Sequence, residues 1–185
     1  MITIHTVPKN IADGVREWVT GRTIPWYHFN RTLGPTQMGR AQVDQDKYTI
    51  DDLQRFSHYF FPNSKTPQDD KKHVMPLTRW VINTLLPGYE VRRVMGNLTT
   101  QMPNGSTILN LPHPDASDSN IFTFLYYVSD SDGKTVFFKD GKIYQEVDPI
   151  GGTGVLFPST VVHAGQCPSI NKTRYVINII LAKRD

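Results

Sequence analysis

His113-Pro114-Asp115, taken with His163 and Arg174, is the set of residues in this sequence whose types and spacing bear chemistry. Two imidazoles and one carboxylate on one face of a ferrous ion leave its other positions open, which is the ligand set of a mononuclear non-haem iron oxygenase. In an extended segment, residues two apart project to the same side. His113 and Asp115 can then reach one metal while Pro114 faces away. A His-x-Asp triplet is commonplace by itself, and His163 has to be delivered from another strand.

The elements must therefore bring together residues 50 apart in sequence, a separation too long for one hairpin. A jelly roll, in which early and late strands come side by side, does this by topology. Strand texture is what the second half of the chain shows. Short β-branched and aromatic runs at 89–101, 107–111, 121–129, 134–138, 143–147, 154–158 and 173–181 are separated by Gly, Pro, Asn and Asp. Asp140-Gly141 between two of them signals a hairpin. The first half reads differently. Ile11, Val15, Trp18 and Val19 have helical spacing over 10–20, with Asn10 as N-cap. Residues 50–61 read as a helix with Asp51 and Asp52 at its positive end. Leu77, Trp80, Val81 and Leu85 predict a helix over 76–86, with Pro76 near its first turn and Pro87-Gly88 as the stop. The aromatic run 24–29 is read as packing, and 62–72 as a polar loop. The fold class is α+β, mainly β: a jelly-roll core (89–185) with a mostly helical support region (1–88) packed against it in a single domain, 1–185.

Composition narrows the function classes. A chain of 185 residues, 38% hydrophobic and 20% charged, belongs among globular proteins. With a net charge of +3 and its Lys and Arg scattered, nucleic acid is disfavoured as a partner. Cys167 is the only cysteine, so no intrachain disulfide or cysteine metal site forms, which fits a reducing, cytoplasmic setting. No apolar run reaches membrane-spanning length, no signal-type start is seen, and the Asn-x-Ser/Thr triplets at Asn30, Asn97, Asn104 and Asn171 are read as coincidental. His5, His58 and His73 are read as surface or packing residues, His28 as part of the aromatic packing run with the site side as its alternative, and Cys167 as a bystander.

Downstream of His163, alternation along 173–181 puts Arg174, Val176 and Asn178 on one face. A guanidinium there is costly to bury unless a carboxylate meets it, from the protein or from a bound acid. At this point residues 90–182 resemble the 2-oxoglutarate and Fe(II)-dependent dioxygenases, in particular the prolyl 4-hydroxylase-like group with its small bacterial and phage members. The resemblance rests on His113-Pro-Asp115, Thr123-Phe-Leu-Tyr126-Tyr127 through Gly133-Lys-Thr135-Val-Phe137, Gly154-Val-Leu-Phe157 leading to His163, and Arg174-Tyr-Val-Ile-Asn178. It implies a double-stranded β-helix in which His113, Asp115 and His163 ligate Fe(II). It also implies that Arg174, helped by Tyr127, holds the far carboxylate of the cosubstrate 2-oxoglutarate, with Asn97 and Asn178 in supporting contacts and Thr135 a structural strand residue. The implied activity is hydroxylation of a C–H bond by O₂, with release of succinate and CO₂. Asp115 favours hydroxylation over halogenation, because related halogenases lack that carboxylate. The primary substrate, peptide or small molecule, stays open. Nucleic-acid dealkylases of the superfamily carry a second arginine, which the strand from Arg174 lacks. Two other readings remain: a non-catalytic jelly-roll module that binds a metal or ligand, and a cupin-like metal enzyme that does not use 2-oxoglutarate.

Overall fold

The structure is a computed structural model and describes residues 1–21, 24–28, 55–61, 68–101 and 109–184. Among these the chain builds two antiparallel sheets and two α-helices. The strands are β1 (Thr3–Thr6), β2 (Tyr27–His28), β3 (Arg55–Phe61), β4 (Tyr89–Thr100), β5 (Ile121–Tyr127), β6 (Thr135–Lys139), β7 (Lys142–Val147), β8 (Thr153–Pro158), β9 (His163–Gly165) and β10 (Thr173–Lys183). The major sheet has the order β1-β8-β5-β10-β4-β3-β2 and the minor sheet β7-β6-β9. This is a jelly roll, with β10 at the centre of the major sheet between β5 and β4.

Each face of the major sheet has its own core. Towards the helices, β10 sends Ile177, Ile179 and Leu181, which join Phe124, Tyr126 and Val94 from neighbouring strands. Helices α1 (Lys9–Val19) and α2 (Gln68–Trp80) cover that face with Val15, Val19, Val74 and Leu77. Towards the minor sheet, Leu125, Tyr127, Val155, Phe157 and Val176 pack on Phe137 and Val147. The first core anchors β10, and the second places its other face where the site lies.

Several boundaries differ from the sequence reading, each for a physical reason. Helix α1 starts at Lys9 rather than at an Asn10 cap, because the Pro8 carbonyl accepts from Ile11 N (2.9 Å) and Ala12 N (3.0 Å). Pro8 has the fixed φ, −52°, that favours such a start. Pro76 lies well inside α2, not in its first turn: the stripe Val74, Leu77 and Val81 is buried and carries the helix through a missing donor. The helix then loosens into a π turn over Val81–Leu85, closed by Leu86 N to Val81 O at 3.1 Å. The expected helix over 50–61 is overturned for its described part, since Arg55–Phe61 is a strand. There a period of two decides: His58 and Phe60 pack against Trp18 on the helix side, and Ser57 pairs with Asn97 on the other. The first 88 residues are thus less helical than expected, contributing β1, β2 and β3 to the major sheet. Of the strand expected over 107–111, the described part makes one bridge, Leu109 to Gln166. Asp51, Asp52, residues 62–67 of the expected loop, and the Asn30 and Asn104 triplets lie outside the described residues. The Asp140-Gly141 hairpin joins β6 to β7 with φ of 51° and 73°, the left-handed pair that a tight hairpin turn requires.

Candidate active site

Four elements deliver the site. The segment before β5 carries His113 and Asp115, β9 carries His163, β10 carries Arg174 and Asn178, and β5 carries Thr123 and Tyr127. His113 and His163 form an antiparallel bridge in which each backbone N–H donates to the other's carbonyl at 3.0 Å. This pairing fixes the two ring origins side by side, with ring centroids 5.0 Å apart. Asp115 is anchored through its backbone N–H to Ser159 O at 2.8 Å.

The donor atoms of His113, Asp115 and His163 all lie within 4.8 Å of one another. Each imidazole has its Nδ1 against a backbone carbonyl two residues earlier: His113 on Leu111 O at 2.9 Å, His163 on Val161 O at 3.1 Å. A carbonyl can only accept, so each Nδ1 carries a hydrogen, and in the neutral ring the lone pair is on Nε2. Nε2 of His163 lies 3.6 Å from Asp115 Oδ2. Two imidazole nitrogens of fixed tautomer and one carboxylate oxygen suit a divalent first-row metal ion, so the residues present fit such a group.

Asp115 is almost wholly buried and well supplied with partners. Thr123 Oγ1 donates to Oδ2 at 2.8 Å, Asn178 Nδ2 lies 3.3 Å from both oxygens, and an Arg93 guanidinium nitrogen lies 3.6 Å from Oδ1. Burial opposes ionisation, but the His163 and His113 rings, the Thr123 hydroxyl and Arg93 outweigh it and hold the carboxyl below its ordinary value. The group is therefore a carboxylate, the form that ligates a metal.

Arg174 lies farther along β10, only 4% exposed. Its Nε donates to Gly133 O at 2.6 Å and one terminal nitrogen to Thr135 Oγ1 at 2.8 Å, while the guanidinium carbon lies 5.8 Å from the Tyr127 ring centre. The Tyr127 hydroxyl also donates to Thr135, at 2.7 Å. Burial raises the Tyr127 phenol, outweighing the opposing pull of Arg174 and of Thr135, so it stays protonated as a donor. Thr135, read from sequence as a plain strand residue, ties Arg174 and Tyr127 to the minor sheet. A Cβ on Gly133 would meet Gln166 O at 2.5 Å and Arg174 Cδ at 3.0 Å, and one on Gly165 would meet an Arg174 terminal nitrogen at 3.0 Å, so Gly133 makes room for the backbone and the arginine stem and Gly165 for the guanidinium.

Asn97 pairs with Val176 in the β4–β10 register and so projects from the same face as Arg174 and Asn178; its Oδ1 accepts from Ser57 Oγ at 2.9 Å. Thr123, Ser159, Arg93 and Asn110 are site residues that sequence reasoning missed. Asn110 packs beside Arg174 over Gly165, and Ser159 Oγ is 2.8 Å from Thr123 Oγ1. Single hydroxyls and amides carry no spacing signal in a sequence. The other described histidine side chains lie elsewhere: His58 beside Pro25 O at 2.8 Å, His73 stacked on Trp18 and His5 on Thr3. The His28 side chain lies outside the described residues. Cys167 is buried.

With this geometry in hand, the chain superposes on solved structures of 2-oxoglutarate oxygenases. One is an oxidoreductase of the 2OG-Fe(II) oxygenase family from Burkholderia pseudomallei, with TM-score 0.63, 14% identity, and coverage of 100% of this chain and 86% of that one. The jelly roll here is the fold of those enzymes. A prolyl hydroxylase from Trichoplax adhaerens, in complex with a hypoxia inducible factor oxygen degradation domain peptide fragment, matches with TM-score 0.62 and 14% identity over 98% of this chain and 83% of that one. A prolyl-4-hydroxylase from Pseudomonas putida matches with TM-score 0.52 and 18% identity over 99% of this chain and 92% of that one. No protein-family model and no curated sequence matches the chain. Among the described residues, no helix is long and apolar enough to cross a membrane.

Proposed function

We propose that this chain is an Fe(II)- and 2-oxoglutarate-dependent dioxygenase that hydroxylates a C–H bond of a peptidyl or small-molecule substrate, with release of succinate and CO₂, acting as a single domain. The observation that carries the reading is the convergence of His113, Asp115 and His163, whose donor atoms lie within 4.8 Å of one another, with Nδ1 of both imidazoles set against a backbone carbonyl. The fold shared with 2-oxoglutarate oxygenases supports it. Bound iron and 2-oxoglutarate would supply the activation of O₂ and the oxidative decarboxylation that drives it.

The chain's own residues do the positioning. His113, Asp115 and His163 would hold the metal on one side, leaving the opposite side for cosubstrate and O₂. Arg174 and Tyr127 would grip the far carboxylate of 2-oxoglutarate, a charge-assisted contact inside a dry wall of Leu125, Val155 and Val176. Anchoring that end fixes the cosubstrate's approach to the metal. Asn178, donating towards Asp115, would keep the ligand carboxylate from rotating away. Asn97 on the same face would border the pocket. Peptide as the substrate class draws support from the peptide-bound Trichoplax neighbour. A reducing, cytoplasmic setting fits a chain whose single cysteine, Cys167, is buried.

Anaerobic titration of the Fe(II)-loaded protein with 2-oxoglutarate tests this directly. The expected result is a weak visible charge-transfer band that saturates in the native protein and is absent from His113→Ala. A folded, iron-loaded protein without that band would overturn the reading.

A further inference from the structure

The Lys and Arg residues that are scattered along the sequence are partly gathered by the fold at one end of the major sheet. A cleft of about 480 Å³, open on one side, is lined there by Arg92, Lys183 and Arg184 together with Asp118. Its floor is Ile121 and Ala182, which pair across β5 and β10. Two residues back along those strands lies the pair Thr123 and Ile180, about 7 Å away, and Thr123 is the residue that donates to Asp115. By alternation Ile121 projects from the same face as Thr123. The cleft thus begins one strand repeat beyond the pair that reaches the metal-ligand side of the sheet.

Among the described residues its lining holds three cations and one carboxylate. The Asp118 carboxylate is engaged in its own turn, accepting from Asn120 N at 2.8 Å, and Arg92 pairs with Glu90 at 3.1 Å. Among the described residues Lys183 and Arg184 have no ion-pair partner. Arg93, next to Arg92 on β4, lies 3.6 Å from Asp115, and its buried Nε has no hydrogen-bond partner. An open site with cations spread over several strand positions suits an extended anion better than a compact one. The acidic groups interleaved with them, Glu90 and Asp118, interrupt the continuous basic track that a phosphate backbone would need.

We propose that this cleft binds an acidic peptide segment of the primary substrate, flanking the residue presented to the metal. The last clause rests on the dioxygenase reading; the binding itself does not. The test is fluorescence anisotropy of a labelled dodecapeptide of alternating Asp and Pro, with the Fe(II)- and 2-oxoglutarate-loaded protein under anaerobic conditions. A Lys and Pro dodecapeptide and a single-stranded oligodeoxynucleotide serve as counterparts. The native protein is expected to bind the acidic peptide in a salt-sensitive manner and to ignore the basic one. The triple variant R92E/K183E/R184E should bind it at least about tenfold more weakly, whereas the charge-conserving R92K/R184K keeps most of the affinity. The chelate band of the triple variant should match the native one, since none of these residues touches the metal ligands. Lys183→Glu alone gives a smaller loss in the same direction and serves if the triple variant does not fold. Equal binding of the acidic and basic peptides, native-like binding by the charge-reversed variants, or displacement of the acidic peptide by the oligonucleotide would each overturn the proposal. A missing chelate band alongside intact salt-sensitive peptide binding would instead overturn the dioxygenase reading and leave the cleft standing.

Discussion

Asp115 is useful as a ligand only while its two oxygens keep their direction, and Thr123 is the neutral residue that holds it most directly. Thr123 Oγ1 donates to Asp115 Oδ2 at 2.8 Å, an ordinary hydroxyl bond to a carboxylate that is almost wholly buried, and the same hydroxyl meets Ser159 Oγ at 2.8 Å. Thr123→Val keeps nearly the same shape and removes this donor. The backbone pairing of Thr123 with Ile180 and Phe157 remains. The expected outcome is a folded protein whose affinity for Fe(II) or Mn(II) falls roughly 10–100-fold, the usual cost of losing a partner that orients a metal ligand. Metal titration followed by far-ultraviolet circular dichroism separates the two effects. A variant that binds metal as tightly as the native protein would show that Asn178 and Arg93 suffice to aim the carboxylate.

At the scale of elements, the turn before β6 is as consequential as any strand, because Gly133 O is where Arg174 Nε is fixed. That turn is clamped by Asp132 to the loop before β10. Its carboxylate accepts from Ser169 N at 2.8 Å, Ser169 Oγ at 2.6 Å, Ile170 N at 2.9 Å and Asn171 N at 3.0 Å. Burial opposes ionisation, but the Ser169 hydroxyl and the three backbone amides outweigh it and hold the carboxyl far below the usual range. A group depressed in the folded state stabilises above its unfolded value, about 3.9, and that contribution is lost as pH falls towards its folded value. Asp132→Ala should therefore cost on the order of 1–3 kcal/mol at pH 7. The gap from the native protein should narrow steadily below about pH 4. Urea unfolding of both proteins across that range checks it, and a gap independent of pH would remove the clamp from the account. The break between the runs at 121–129 and 134–138 was legible in sequence, but which of its carboxylates would be captured by amides 37–39 residues away was not. The strands from Tyr89 onward were legible because they alternate or run apolar between breakers. The strand Arg55–Phe61 was not, since its aromatic crowding fits a helix face as well as a pleat until a neighbouring strand selects the period. The three-residue β9 is shorter than any pattern can reveal, yet it carries His163.

Viewed as a whole molecule, the jelly roll keeps its two sheets together with one apolar layer and a few polar ties. Phe137 and Phe157, 5.0 Å apart, bridge the sheets within that layer. Thr135 on the minor sheet takes Arg174 and Tyr127 from the major one, and the bridge between His113 and His163 joins the segment bearing Asp115 to β9. A metal held by His113, Asp115 and His163 would add a further tie, because Asp115 is bonded to Thr123 and Asn178 of the major sheet while His163 belongs to the minor one. Ligand that binds only the folded state stabilises it by mass action, about 2.7 kcal/mol at a hundred times Kd. Saturating Mn(II) should accordingly raise the urea midpoint of the native protein by that amount divided by the unfolding slope, and raise it further when 2-oxoglutarate is added. In His113→Ala the metal increment should vanish, while the metal-free stability changes by much less, since His113 is only partly buried and its backbone bridge survives the substitution. An increment that persists in His113→Ala would mean that the stabilising ion sits elsewhere, and the three convergent donors would then lose their standing as the metal centre.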